Sequence, residues 1–172
     1  NLKANLIEIK PHRKMKIGKN EIFPISLSHS VPDSVGYVLY TKSGAIFYTG
    51  NFVFDPSMKG AYKTDIGKLA YVGKQGVLCL LSESVYADKI GYTSPKHRCY
   101  SYLSEVIADN QNRILINIYK GQIYRIQEIL NCIENRKVVI MGKTLESNLI
   151  DSIDNGYIKF DKSKIGNIHH LD

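Results

Sequence analysis

The sequence predicts an α/β fold, and three observations carry that expectation. Val35–Thr41 and Ala45–Thr49 are alternating, β-rich runs on either side of the polar turn Lys42-Ser43-Gly44. Val77 to Leu81 is an unbroken apolar run of the kind that forms a buried strand. From about Ala87 onward, helix-period and strand-period segments alternate. The change of rhythm there divides the chain into a first domain, residues 1–90, and a second, residues 91–172.

In the first domain, the apolar run Leu6 to Ile9 is followed by Lys10, Arg13, Lys14, Lys16 and Lys19 around Pro11 and Gly18. Such a segment predicts a solvated basic loop or hairpin. Glu21 to Leu27 has strand character, and Pro24 argues for an edge or a bulge. The hairpin after it has polar clusters at one end: His29-Ser30 and Pro32-Asp33-Ser34 before its first strand, Thr49-Gly50-Asn51 after its second. The start of one antiparallel strand lies beside the end of the next, so His29 and Asn51 are expected near one another. A histidine and a short polar residue at strand ends, beside a glycine, suit a metal or substrate site, although on spacing alone a loop histidine and a turn asparagine are the commoner reading.

Asp55 to Lys63 reads as a linker rich in Pro, Ser, Gly and Lys. Thr64 or Asp65 then caps a short helix with Ile66, Leu69, Ala70 and Val72 on its buried side, ended by Gly73 and Gly76. Val77 to Leu81 follows as a strand buried on both faces, with Glu83 just past its carboxyl end. A carboxylate in that position is ordinarily a cap or a surface group.

In the second domain, Ser94 and Pro95 open a helix with Cys99, Leu103, Val106 and Ile107 on one stripe. Arg113 to Tyr119 is a predicted strand, and Gly121 to Asn135 a helix with Ile123, Ile126, Leu130 and Ile133 in phase. Lys137 to Met141 is another strand, and Leu145 to Asp154 another helix, ended by Asn155-Gly156. Strands joined by helices imply parallel pairing, with ligand sites at Tyr119-Lys120-Gly121 and Gly142-Lys143-Thr144.

Composition sets the class of partner. Of 172 residues 44% are hydrophobic, ordinary for a globular chain, and the net charge of +7 with a pI near 9.2 favours a polyanion. No apolar run approaches a membrane span and no signal-peptide pattern opens the chain, so no membrane partner is expected. The chain begins with Asn1 rather than Met, which points to an internal fragment. The three cysteines, Cys79, Cys99 and Cys132, form no C-x-x-C pair and read as small core residues in a reducing cytoplasm. There is no internal repeat, Walker loop, dinucleotide-binding glycine fingerprint or G-x-S-x-G elbow.

The order HSVPDSVG, YTGNFVFD, GVLCLLSES resembles the ribonuclease J family of metallo-β-lactamase nucleases, which carry an inserted β-CASP domain. The resemblance covers nearly the whole chain. It implies part of a metallo-β-lactamase αββα layer followed by part of a β-CASP parallel α/β domain. In that family the His of the HS-P-S motif is a metal ligand, which maps to His29. The Asp of T-G-D-F bridges two zinc ions, and here that position is Asn51. The acidic residue of the third motif maps to Glu83, a candidate catalytic group. The family's H-x-H-x-D-H motif and its later histidines have no counterpart here, and His12, His97, His169 and His170 match no family motif. The neutral residue at position 51 is similar to the family's second paralogue, whose active site is degenerate.

The resemblance implies metal-dependent cleavage of RNA in messenger decay and ribosomal RNA processing, in the cytoplasm. The neutral Asn51 points to reduced catalysis, with zinc weak or absent. A unit-charge pair at about 4 Å is worth ~4 kcal/mol at an effective dielectric near 20. Loss of a bridging charge beside two dications therefore outweighs any more distant change. For RNA, the candidates are Lys96, His97 and Arg98 in a helix's first turn and Lys120, Arg125 and Lys143 near strand ends, although a solvated basic turn is the commoner account of such residues. The alternative reading is a non-catalytic RNA-binding subunit, oligomeric at full length, that stabilises an active paralogous ribonuclease.

Overall fold

The computed structural model describes residues 6–91, 100–109, 111–133 and 136–166. It is an α/β structure with a mixed sheet and several helices, and it divides into two compact units. The first comprises Asn1–His29 with Asp33–Thr93, the second Ser30–Pro32 with Ser94–Asp172.

The first unit holds a five-stranded sheet in the order β1-β2-β3-β4-β5. Its strands are β1 (Met15–Ile17), β2 (Asn20–Ser26), β3 (Val35–Thr41), β4 (Gly44–Tyr48) and β5 (Cys79–Leu81). The first four run antiparallel to their neighbours, and β5 is parallel to β4. The basic stretch thus forms the β1–β2 hairpin, where Lys14 Nζ lies 2.8 Å from Glu21 Oε1. The β3–β4 hairpin closes as expected, with Thr41 opposite Gly44. Gly44 has φ +141, and a Cβ there would stand 2.9 Å from Leu78 Cβ, so both the turn and the neighbouring segment require glycine.

Alternation places Phe23, Ile25 and Leu27 on one face, and register aligns Phe23 with Val38 and Val38 with Phe47 across the sheet. These residues, with Ala45 and Val72, form the buried cluster of the unit. Pro24 sits in an inner strand, yet on its edge-like half. Strand β1 pairs only as far as Ile22, and beyond it the open side of β2 is met by His12, whose N–H donates to Pro24 O at 2.7 Å. The N–H that proline lacks would have pointed to that side, away from the β3 ladder.

Helix α1 (Ile66–Gln75) is capped by Asp65, whose carboxylate accepts from Lys68 N–H at 2.9 Å. Val72 is buried and Leu69 half-buried, but Ile66 and Ala70 are exposed, so the buried stripe is narrower than predicted. Gly73 lies inside the helix, and the stop comes at Gly76 with φ +90.

Two expectations are corrected in this unit. The run Val77–Leu81 is not buried on both faces. Cys79, Leu80 and Leu81 are all exposed, because β5 ends the described sheet and stands outside the core cluster. Cys79 is therefore no core residue. Residues 55–63 are more than a linker. Asp55, Met58 and Tyr62 are buried there, and Gly60–Tyr62 forms a 3-10 turn.

The second unit contains α2 (Tyr100–Asp109), α3 (Ile123–Asn131), β6 (Val138–Val139), α4 (Lys143–Asp154) and β7 (Ile165–Gly166). Strands β6 and β7 pair in parallel with α4 between them, a βαβ unit whose second strand the sequence reading did not foresee. Ile107, Ile123, Ile126, Leu130, Leu149 and Ile158 are buried. Cys132 is buried as predicted, its Sγ 3.3 Å from Glu128 O. Gln127 ties α3 to the chain beyond α4: its Oε1 accepts from Lys159 N–H at 2.6 Å and its Nε2 donates to Lys159 O at 3.2 Å.

Arg113–Tyr119 is not a strand. Leu115 and Tyr119 are 87% and 81% exposed, and the segment joins no ladder among the described residues. Strand propensity is realised only against a packed, paired neighbour. Ile114 and Ile118 instead line an apolar cavity of about 460 Å³ with Ile129, Val139 and Leu149. The predicted helix start at Ser94-Pro95, with Cys99, lies outside the described residues.

Candidate functional site

Strand directions bring the three motif loops of the first unit to one end of its sheet. Ser26 at the end of β2 faces Val35 at the start of β3, and Tyr48 at the end of β4 faces both Tyr37 and Leu81. The loops that carry His29, Asn51 and Glu83 therefore leave the sheet side by side.

Hydrogen bonds tie these loops together. Val53 N–H donates to Ser28 O at 2.8 Å, which joins the His29 loop to the Asn51 loop. Phe52 N–H donates to Glu83 Oε1 at 2.9 Å, which joins the Asn51 loop to the end of β5. Thr49 N–H donates to Leu81 O at 3.0 Å as the last contact between those two chains before the bend. The bend is at Gly50, whose φ of +60 strains any residue with a Cβ.

The His29 loop is anchored from below. Ser28 is fully buried; its N–H donates to Thr64 Oγ1 at 2.7 Å, while Ser28 Oγ accepts from Thr64 N–H at 3.0 Å and Thr64 Oγ1–H at 2.8 Å. At its other side, Leu27 N–H donates to Ser34 O at 2.9 Å and Asp33 N–H to Ala61 O at 2.7 Å. His29 and Glu83 are half-buried and Asn51 is exposed.

Sequence reasoning missed Ser28 and the buried Asp55, and read Thr64 only as a possible helix cap. Ser28 and Thr64 are 36 positions apart, so no local pattern could link them. Asp55 had a signal: an Asp two residues before a Ser is an Asx turn, and the Asp55 carboxylate accepts from Ser57 N–H at 2.9 Å and from its hydroxyl.

The residues present do not fit a two-zinc centre. Among the described residues no three His, Cys, Asp or Glu side chains are grouped to hold a metal ion. Asn51 is neutral, and one oxygen of Glu83 is committed to Phe52 N–H. His12 is engaged below the His29 loop, with Nε2 accepting from Ser26 N–H at 3.4 Å and 3.6 Å from Asp65 Oδ2.

Of the cationic candidates, Lys96 and Arg98 lie outside the described residues, as do His97, His169 and His170. Lys120 and Lys143 are both exposed in the second unit. The Lys120 carbonyl accepts from Asn148 Nδ2 at 3.1 Å, which ties the turn at Tyr119–Gly121 to α4, the helix that begins with Lys143. Arg125 is engaged within α3, its Nη1 2.7 Å from Glu128 Oε2. The apolar cavity is lined by none of the proposed site residues. No helix among the described residues is long and apolar enough to cross a membrane.

No protein-family profile matches the chain. It is 37% identical over 147 residues to ribonuclease J 2 of Staphylococcus aureus (strain NCTC 8325 / PS 47), which covers 84% of this chain and 26% of that protein. It is 38% identical over 149 residues to ribonuclease J 2 of Staphylococcus saprophyticus, covering 86% of this chain and 26% of that protein. The chain thus spans about a quarter of the length of the curated relatives it matches. In fold it is similar to a crystal structure of a protein of unknown function from Enterococcus faecalis V583, with a TM-score of 0.67 and 16% identity over 99% of this chain and 43% of that one. With three motifs in order and this identity along most of its length, the chain belongs to the ribonuclease J family.

Proposed function

We propose that this chain is part of a ribonuclease J-type protein that acts in RNA processing and decay in the cytoplasm. In this reading residues 1–90 form part of a metallo-β-lactamase layer and residues 91–172 part of a β-CASP domain. One observation carries it: the loops of His29, Asn51 and Glu83, the family's motif positions, are hydrogen-bonded into one cluster at one end of the sheet. His29 is the metal-type ligand of that cluster, and Asn51 the position where charge has been lost. RNA is held by cations that include Lys96, Arg98, Lys120 and Lys143, with the +7 net charge behind them.

The neutral side chain at position 51 favours a second reading, a subunit that binds RNA with little catalysis and stabilises an active paralogue. A carboxylate without its metals repels a phosphate; a carboxamide can donate to one. Elemental analysis of the full-length protein, wild type beside Asn51→Asp, tests the degenerate site. We expect wild type below stoichiometric zinc, and higher occupancy with Asn51→Asp. Two tightly bound ions per wild-type chain would sink it. Binding of single-stranded RNA should fall steeply between low and physiological salt, and an affinity indifferent to salt would count against an RNA role.

A further inference from the structure

We infer that Glu83 is a positioning residue, which acts through the Phe52 amide to hold the Asn51 turn. The Thr49 N–H to Leu81 O bond, at 3.0 Å, is the last backbone contact between the ends of β4 and β5. At Gly50, with φ +60, the chain turns away and leaves Phe52 N–H beyond the reach of that ladder. The Glu83 side chain takes the place of the next carbonyl, with Oε1 2.9 Å from Phe52 N. Val53 N–H is held at 2.8 Å by Ser28 O, so the two amides after Asn51 are both fixed, one by backbone and one by Glu83. Asn51, exposed and between the Gly50 bend and these anchors, is the residue whose place depends on them.

This role depends on an acceptor at the end of a two-methylene stem, whereas ligation or proton transfer depends on a carboxylate. Gln keeps reach and acceptor but loses charge; Asp keeps charge but loses reach; Ala loses both. The inference rests, for its functional consequence, on the RNA-binding reading, so the test uses one readout that does not involve RNA. In the full-length protein, amide exchange at Phe52 and affinity for single-stranded RNA are measured for wild type, Glu83→Gln, Glu83→Asp and Glu83→Ala. A hydrogen bond to a charged acceptor corresponds to roughly tenfold or more in an equilibrium.

We expect Phe52 exchange to rise about fivefold in Glu83→Gln, which keeps a weaker, neutral acceptor, and by well over tenfold in Glu83→Asp and Glu83→Ala. RNA affinity should fall in Glu83→Asp and Glu83→Ala and stay equal to or above wild type in Glu83→Gln, because one negative charge is gone while the turn is still held. If Glu83→Gln exchanges as fast as Glu83→Ala, or if Glu83→Asp matches wild type, the inference is overturned. If the wild-type protein does not bind RNA, the functional reading fails, and Phe52 exchange still decides the role of Glu83.

Discussion

The two units earn their order in different ways. In the first, register does the work: Phe23, Val38 and Phe47 align across three strands, and each depends on a partner far along the chain. In the second, the buried residues come chiefly from helices at three- and four-residue steps, and its described strands are only two residues each. A sheet needs its partner to exist before its propensity counts, whereas an amphipathic helix satisfies its own backbone and needs neighbours only for its stripe. The sharpest instance is the contrast between β3, a seven-residue strand with ladders on both sides, and Arg113–Tyr119, a run of equal length and β-character with none.

The largest expected effect tests that contrast directly. Ile25→Ala, at a position with no exposure in β2, should cost about 3 kcal/mol, within the range for buried Ile truncations. Leu115→Ala, at 87% exposure in the unpaired run, should stay within about 0.5 kcal/mol. Urea denaturation of both variants checks this, and comparable losses would mean that Arg113–Tyr119 is packed as a strand after all.

Next comes the crowding of the sheet at Gly36. A Cβ there would stand 2.7 Å from Leu27 Cδ1, 2.9 Å from Phe47 Cε2 and 3.0 Å from Tyr48 O. Gly36→Ala should therefore destabilise by about 2 kcal/mol, since the backbone oxygen cannot yield as a side chain can. An unchanged denaturation midpoint would show that β3 and β4 are less tightly matched than their register implies.

A somewhat smaller loss is expected from Thr64→Val, which leaves Ser28 N–H buried without its acceptor and removes one of the two bonds to Ser28 Oγ, at about 1–2 kcal/mol. The more telling readout is local. Amide exchange in residues 28–34 should accelerate while the β2–β3 ladder stays protected, and uniform acceleration would argue against a specific anchor of the His29 loop.

The smallest effect belongs to the second unit. The Asp161 carboxyl is held below its ordinary value, chiefly by the side-chain hydrogen bond from Ser163 and then by the Ser163 N–H. A carboxyl whose folded pKa is depressed contributes fully above its unfolded pKa, and the contribution disappears as pH falls through the lower folded value. Acid titration followed by the Ser163 amide resonance should show a midpoint below that of an ordinary aspartate, about 3.9. A midpoint at or above it would mean that the Asp161–Ser163 turn is not formed in solution.

Much of the site was readable because its signals are local. The Lys42-Ser43-Gly44 turn sets the β3–β4 register, and antiparallel geometry then carries the loops of His29 and Asn51 to one end of the sheet. The cap at Asp65 and the helical stripe of Ile123, Ile126 and Leu130 were equally legible, since each depends on neighbours within a turn or two. The resemblance of three short motifs supplied the family.

What only the tertiary structure decided depends on pairing across distance. An apolar run reads the same whether it is interior or at an edge, so Val77–Leu81 gave no hint that Cys79, Leu80 and Leu81 are exposed. Nor could a carboxylate after a strand disclose its partner, and Glu83 proves to be directed at Phe52 N–H, 31 positions away. The amino-acid sequence by itself determined the local elements, because turns, caps and helical stripes are settled by residues in reach of one another. The ladder partners, the Ser28–Thr64 anchor and the bond of Glu83 were decided by the folded chain, because a hydrogen bond between distant residues has no energy until the fold brings donor and acceptor together.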